Sequence, residues 1–340
     1  MSKKFNVAVV GATGAVGEIM LSILEEREFP VADVHAVASS RSAGTRVKFG
    51  GGELVVEDLE KFDFDGIDIG LFSPGASVSK VYAPKAAAAG AVVVDNTSQF
   101  RYDDEIPLVV PEVNATAVAA YNNRGIIANP NCSTIQMVVA LKPIYDAVGI
   151  ERINVCTYQS VSGTGKEAMD ELKKQTAGLL QGEDPVCAVY PKQIAFNVLP
   201  HIDVFQDNGY TKEEMKMVWE TQKILGDTSV LVNPTCVRVP VFVGHSEAVH
   251  IETKEKISAA QARALLASAP GVVVLDEAAD GGYPTAVTEG EGQDPVFVGR
   301  IREDLSHPRG LNLWVVSDNL RKGAALNSVQ IAEILVKHYL

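Results

Sequence analysis

The chain has 340 residues, 46% of them hydrophobic, and a formal charge of −13 at neutral pH. That length exceeds what one hydrophobic core commonly supports, so two domains are expected. The acidic balance argues against nucleic acid or an anionic membrane as partner, and it requires any anionic substrate to meet a local cluster of cations.

The first third alternates strand and helix. Phe5 to Val10 is a near-continuous apolar strand, as expected where both faces of a sheet are covered. It runs into Gly11-Ala12-Thr13-Gly14-Ala15-Val16-Gly17 and then a helix to about Arg27. Strands follow at Val34–Ala38 and Ile67–Phe72, a helix at Tyr82–Ala89 closed by Gly90, and a strand at Ala91–Val94. This order predicts a parallel, doubly wound sheet of the Rossmann type. Glycines 11, 14 and 17, following a strand and opening a helix, suit a dinucleotide: a tight turn, close approach of backbone to a pyrophosphate, and close helix–strand packing. The spacing is GxxGxxG, so a turn that merely packs tightly is the competing reading. After the second strand, where an NAD site carries an acid, stand Ser39-Ser40-Arg41-Ser42. Arg41 and Ser42 suit a ribose 2′-phosphate, which points to NADP(H); an ordinary solvated arginine is the alternative.

Ile126–Ala128 ends a short strand, and Asn129-Pro130-Asn131-Cys132 leads into a helix whose apolar residues are Ile135, Val138, Val139, Leu141 and Ile144. Asn131 is a good N-cap, which puts Cys132 at the positive end of a helix dipole, where thiolate is favoured over thiol. A small buried apolar cysteine is the bland alternative. Beyond it come a strand at Ile153–Tyr158, a polar helix near Lys166–Leu180, and strands at Thr235–Val243 and Glu247–Thr253 joined through Gly244-His245-Ser246, read as an antiparallel pair. Phe297–Ile301 and Leu311–Val316 add strands, and Ala324–Tyr339 is a last helix expected to pack on the first domain. The second region therefore reads as an α+β domain with a largely antiparallel sheet and helices on one face.

The four cysteines form no CxxC pair and no metal-like spacing with the six histidines, so no metal and a reducing cytoplasm are expected. Lys3 and Lys4 precede an apolar run that ends in a glycine-rich turn rather than a cleavage site, and the longest apolar stretch, Ala86 to Val94, is far short of a membrane span. A nicotinamide cofactor beside an activated cysteine suggests aldehyde chemistry through a thioester. His245, on a Gly-His turn with Arg238 nearby in sequence, is the best candidate acid/base, against the usual reading of a loop histidine as solvated surface.

Eight ordered segments resemble the aspartate-β-semialdehyde dehydrogenase family: GATGAVG from Gly11, VVDNTSQFR from Val93, VPEVN from Val110, NPNCSTIQ from Asn129, YQSVSGTG from Tyr158, EEMKMVWET from Glu213, RVPVFVGHSE from Arg238 and WVVSDNLRKGAA from Trp314. The resemblance spans essentially the whole chain; Gln99 stands where a smaller residue is commoner. It implies that Cys132 forms an acyl-thioester, that His245 is the acid/base, and that Gln159 orients the substrate carbonyl. Arg238 would hold the substrate α-carboxylate, Glu213 its ammonium, and Arg101 and Lys216 phosphate, with Asn131 helping to position the phosphate or reacting group. Cofactor contacts would come from Gly11, Thr13, Gly14, Ala15, Val16, Arg41, Ser42, Ser162, Gly163 and Asn319. The implied reaction is NADP-dependent reductive dephosphorylation of L-4-aspartyl phosphate to L-aspartate 4-semialdehyde, releasing inorganic phosphate, on the route to lysine (through diaminopimelate), threonine and methionine. The implied organisation is an NADP-binding domain at 1–130, completed by a C-terminal segment at about 319–340, a catalytic and dimerisation domain at 131–318, and a homodimer. A reductase of N-acetylglutamyl phosphate, a glyceraldehyde-3-phosphate enzyme and a non-catalytic NADP(H)-binding regulator are the rival readings; acetylation would leave Glu213 facing no ammonium.

Overall fold

The structure, a computed structural model, describes residues 3–340. Two compact units divide the chain, one running to Pro130 and taking in Ala324–Leu340, the other formed by Asn131–Gly323.

The first unit opens with β1 (Phe5–Val10), α1 (Ala15–Glu26) and β2 (Val31–Ala38). A small hairpin, β3 (Arg46–Phe49) and β4 (Gly52–Val55), precedes the two-residue β5 (Glu57–Asp58). Then come β6 (Ile69–Phe72), α2 (Ala76–Ala88), β7 (Val92–Asp95), the short α3 (Pro111–Asn114) and β8 (Ile126–Ala128). Six strands form a parallel sheet in the order β5-β2-β1-β6-β7-β8. The order runs outward in both directions from β1 and β6, and a crevice opens at such a reversal, at the carboxyl ends of the strands. The glycine turn after β1 lies there.

Helix α2 starts six residues before the expected Tyr82. Its first half, Ala76-Ser77-Val78-Ser79, carries no apolar stripe, because buried Ser79 donates to Asp95 at 2.8 Å instead of packing on hydrophobic neighbours. Gly17 in α1 has a stricter role: a Cβ there would lie 2.2 Å from the carbonyl oxygen of Gly11. Gly11 itself has φ +90°, a conformation glycine adopts without penalty.

The second unit begins with α4 (Cys132–Val148), β9 (Ile150–Gln159), α5 (Lys166–Leu180) and α6 (Lys212–Leu225). It continues through β10 (Leu231–Arg238), β11 (His245–Thr253), α7 (Ala259–Ala267), β12 (Val272–Val274), β13 (Val296–Glu303) and β14 (Gly310–Ser317). Their sheet has the order β10-β9-β11-β14-β13-β12, with three antiparallel pairs and two parallel ones. The expected hairpin of β10 with β11 does not form, because β9 lies between them, parallel to β10 and antiparallel to β11. The connecting backbone is otherwise engaged: Val241 and Phe242 carbonyls accept from Val161 and Ser162 N–H groups. His245 consequently opens a strand rather than sitting on a turn.

The chain ends in α8 (Leu326–His338), whose Leu326, Val329 and Leu335 share one core with Val7, Val9, Met20, Leu24 and Leu71 of the first unit. Among the described residues no helix is long and apolar enough to cross a membrane. Replacing Gly17 with Ala forces α1 away from the Gly11 turn and is expected to cost about 1–3 kcal/mol, the range for overpacking. Chemical denaturation measures it, and an unchanged midpoint would show that this close approach is not required.

Candidate active site

The site grows from the start of α4. Asn131 has extended backbone (φ −63°, ψ 142°), and its side-chain oxygen accepts from the N–H groups of Ser133 and Thr134 at 3.1 and 3.3 Å. The cap leaves Cys132 as the first helical residue, half-buried and free of any disulfide. Negative charge on a sulfur at that point is favoured by the helix dipole. Cys132 also packs closely on the segment after β14: a Cβ on Gly323 would lie 2.8 Å from Cys132 Cβ and 3.6 Å from Asn319 Cβ.

Asn319 is the hub that leads to His245. Its side-chain oxygen accepts from Ser160 Oγ at 3.0 Å, Ser162 Oγ at 3.2 Å and the Gly244 N–H at 2.8 Å. The N–H of Ser160 donates to His245 Nδ1 at 3.1 Å. With Nδ1 accepting, the proton of the neutral ring resides on Nε2. Nε2 is buried and makes no hydrogen bond. Burial, aided by the nearby charge of Arg238 and opposed by Glu213, pushes the His245 pKa down to about 3, so the ring is neutral at physiological pH.

A charged group lies near the His245 ring. Arg238, at the end of β10, is buried; its Nη1 donates to the Ser160 carbonyl at 2.7 Å, and its Nε has no acceptor. Gly163 faces both residues, since a Cβ there would come within 3.0 Å of Arg238 Nη1 and 3.5 Å of His245 Nε2. Two buried donors without acceptors, His245 Nε2 and Arg238 Nε, thus belong to one corner of the unit. Orphaned buried donors are costly, and an anion or carbonyl oxygen relieves them.

Glu213 lies in the first turn of α6. One carboxylate oxygen accepts from Asn131 Nδ2 at 2.9 Å and Gln159 Nε2 at 3.2 Å, the other from Lys216 Nζ at 3.0 Å. Burial raises its pKa, but the charge and hydrogen bond of Lys216, the Asn131 amide and Arg238 together hold it at about 2. Lys216 donates also to Asp203 at 2.8 Å, and these two carboxylates raise its pKa despite burial. Glu220 completes the anchorage by accepting from the backbone N–H of Asn131 at 2.6 Å. Asn131, Gln159 and Lys216 are thus bonded around Glu213, while His245 and Arg238 meet at Ser160; Cys132 opens the helix that Asn131 caps.

The remaining expected site residues divide between the units. Arg101 lies in the first, buried, with Nε donating to the Asn129 carbonyl at 2.9 Å and Nη2 to that of Asn96 at 3.0 Å. Gly11, Thr13 and Gly14 lie in the turn between β1 and α1, and Ala15 and Val16 open α1. Gly14 caps α1 without any side-chain hydrogen bond, which suits an anion on the open N–H groups of the first turn. Thr13 Oγ1 donates to Ser42 Oγ at 3.4 Å, and Arg41 is exposed beside it. These features fit a phosphate-bearing dinucleotide. Pairing of β5 with β2 also brings an acid, Asp58, to this end of the sheet, where it accepts from Ser40 Oγ at 3.0 Å and the Glu60 N–H at 3.1 Å. Ser162, Gly163 and Asn319 lie in the second unit, the serine and asparagine committed to the hub described above.

Residues 6–121 match the family described as semialdehyde dehydrogenase, NAD binding domain, and residues 141–322 that described as semialdehyde dehydrogenase, dimerisation domain. The aspartate-semialdehyde dehydrogenase of Legionella pneumophila is 65% identical over all of this chain and 98% of its own. This chain belongs to the aspartate-semialdehyde dehydrogenase family. Among solved structures, aspartate semialdehyde dehydrogenase II of Vibrio cholerae complexed with ASA superposes with a TM-score of 0.98 at 60% identity, covering 100% of both chains. The Candida albicans aspartate semialdehyde dehydrogenase with NADP has a TM-score of 0.76 at 26% identity over 98% of each chain.

Sequence reasoning missed Ser160, Asp203 and Glu220. Glu220 was within reach, since seven residues from Glu213 return to the same helix face. Asp203 gave no signal: it reaches Lys216 from a loop, with φ +69°. His245 and Glu213 bind protons less readily folded than unfolded, where they titrate near 6.5 and 4.5. The stability they contribute is therefore complete above pH 6.5 and is lost on acidification, between 6.5 and about 3 for His245 and between 4.5 and about 2 for Glu213. Melting temperatures measured across these windows are expected to fall less steeply in His245→Gln and Glu213→Gln than in the parent; identical slopes would place the acid sensitivity elsewhere.

Proposed function

We propose that the protein catalyses NADP-dependent interconversion of L-4-aspartyl phosphate and L-aspartate 4-semialdehyde with inorganic phosphate. The observation that carries this reading is the pairing of an orphaned Arg238 Nε–H with an ionised, buried Glu213 around one cysteine–histidine site. Arginine suits a carboxylate geometrically and Glu213 offers an anion to an ammonium group, so the pair is complementary to an amino-acid zwitterion. An N-acetylated substrate lacks that ammonium, which favours the free amino acid. Both close relatives carry names for this activity.

In the reductive direction the Cys132 sulfur attacks the acyl carbon, forming a carbon–sulfur bond as the carbon–oxygen bond to phosphate breaks. Phosphate departs and a thioester remains on Cys132. NADPH, when bound, supplies the hydride that reduces the thioester carbon. Collapse of the resulting oxyanion breaks the carbon–sulfur bond, releasing the semialdehyde and the Cys132 thiolate. His245 presents the proton on Nε2 to the reacting oxygen, and acid–base exchange runs through that nitrogen. Gln159 and the backbone N–H groups at the start of α4 orient the carbonyl and stabilise its developing charge. Lys216 and Arg101 receive the phosphate, Lys216 by partial exchange of its Asp203 and Glu213 partners, while Asn131 holds Glu213 in register.

Thr13 to Val16 with Gly11 and Gly14 hold the pyrophosphate, and Arg41 with Ser42 the 2′-phosphate; Ser162, Gly163 and Asn319 complete the nicotinamide side. The NADP in the Candida relative supports this assignment, and the acid near Ser40 is already occupied by protein donors. On this reading residues 1–130 with the C-terminal helix bind the cofactor, and 131–318 carry catalysis and dimerisation. The matched dimerisation domain, together with partly exposed Tyr158, whose ring packs at a tilt against Trp314 with centroids 5.6 Å apart, supports a homodimer. The enzyme would work in the cytoplasm, supplying the semialdehyde for lysine (through diaminopimelate), threonine and methionine.

The test follows NADPH formation from semialdehyde and phosphate. Turnover is expected with NADP+ in preference to NAD+, and Arg41→Ala should erase most of that preference. Cys132→Ala is expected to lose activity by about a thousandfold or more while still binding NADPH. A Cys132→Ala protein with parental turnover would sink the mechanism.

A further inference from the structure

A second pair of side chains lies deeper along the same two elements that carry Cys132 and His245. Gln136 is one turn along α4 from Cys132, and Glu247 is two residues along β11 from His245. The helical and strand periods put Gln136 on the Cys132 face and Glu247 on the His245 face. Both are enclosed, Glu247 at 0% exposure and Gln136 at 1%.

Their hydrogen bonding is incomplete in one particular way. Gln136 Nε2 donates to the backbone carbonyl of His245 at 3.5 Å. Gln136 Oε1 and both carboxyl oxygens of Glu247 have no partner among the described residues. Three buried acceptors without a donor are what an ionised carboxylate cannot sustain in an apolar interior. A proton on the carboxyl group converts one of them into the missing donor.

We propose that Glu247 is a neutral carboxylic acid whose O–H donates to Gln136 Oε1, tying α4 to β11 beneath Cys132 and His245 and so setting the spacing of that pair. Glu247 is then a positioning residue for the reaction proposed above, on which this role rests. Its surroundings agree. Burial drives the carboxyl pKa well above the ordinary range, the Gln136 amide opposes this only in part, and no cation offsets it. Thr157 faces it from β9, and the titratable neighbour on β10, Cys236, is buried and shifted upward in turn. The Gln136 amide, oriented by Glu247, also holds the His245 carbonyl, so the link reaches both partners of the catalytic pair. A displacement of about 1 Å between such groups costs on the order of a hundredfold in rate.

The experiment compares the full-length protein with Glu247→Gln, Glu247→Leu and Gln136→Leu. Infrared difference spectra at neutral pH are expected to show a protonated-carboxyl C=O band in the parent that is missing from Glu247→Gln. The Gln variant keeps a neutral donor and should retain kcat within a few-fold, whereas the two Leu variants should lose about a hundredfold in kcat with KM unchanged. Absence of the carboxylic-acid band, or a Gln variant as impaired as the Leu ones, overturns the proposal. Should the Leu variants fail to fold, the band and the activity of Glu247→Gln still decide it. The infrared result is independent of turnover, so a parent without dehydrogenase activity would refute the proposed reaction and leave the protonation of Glu247 separately measured.

Discussion

One asparagine carries the site. Asn131 caps α4 with its side-chain oxygen, gives its amide N–H bond to Glu213, and gives its backbone N–H to Glu220. These bonds fix Cys132 at a helix N-terminus and fasten that terminus to α6, which bears the charges proposed to meet the substrate. A cap is ordinarily worth about 1 kcal/mol. Here its larger consequence is geometric, because every distance between Cys132 and Glu213 passes through it.

The electrostatics follow from burial. A buried carboxylate is stable only with donors around it, and Glu213 has Asn131, Gln159 and Lys216. His245, with no carboxylate bonded to its ring, stays neutral and keeps its proton on the nitrogen that faces away from Ser160. Glu247 is the opposite case to Glu213: equally enclosed, with no cation against it and only the Gln136 amide opposing its burial. Two glutamates in one unit thus have their pKa values pushed in opposite directions by what surrounds them.

Much of this was legible in the chain. The Rossmann-type sheet follows from apolar strands alternating with helices, and the glycine turn from its position between β1 and α1. Cys132 at a helix start could be read from Asn131 and the apolar spacing that follows, since capping and periodicity are local. Of the residues assigned through the family segments, Asn131, Gln159, Lys216 and Glu213 are bonded to one another, His245, Arg238, Ser162 and Asn319 gather around Ser160, and Arg101, Arg41, Ser42 and the residues about the glycine turn lie in the first unit. Local reading went wrong at β10 and β11, because strand pairing is a long-range choice. Sequence neighbours joined through Gly244 look like a hairpin until β9 inserts between them.

The sequence by itself determined the class of the fold, the helix-start cysteine and the cationic and anionic residue types an acidic chain needs to bind a charged substrate. Only the tertiary structure decided which of those charges are met and which stand alone. It turned the His245 ring against a backbone N–H, closed Lys216 between Glu213 and a loop aspartate, and enclosed Glu247 with no cation beside it. Hydrogen-bond direction and desolvation depend on groups brought together from distant parts of the chain, and no local pattern of residues encodes them.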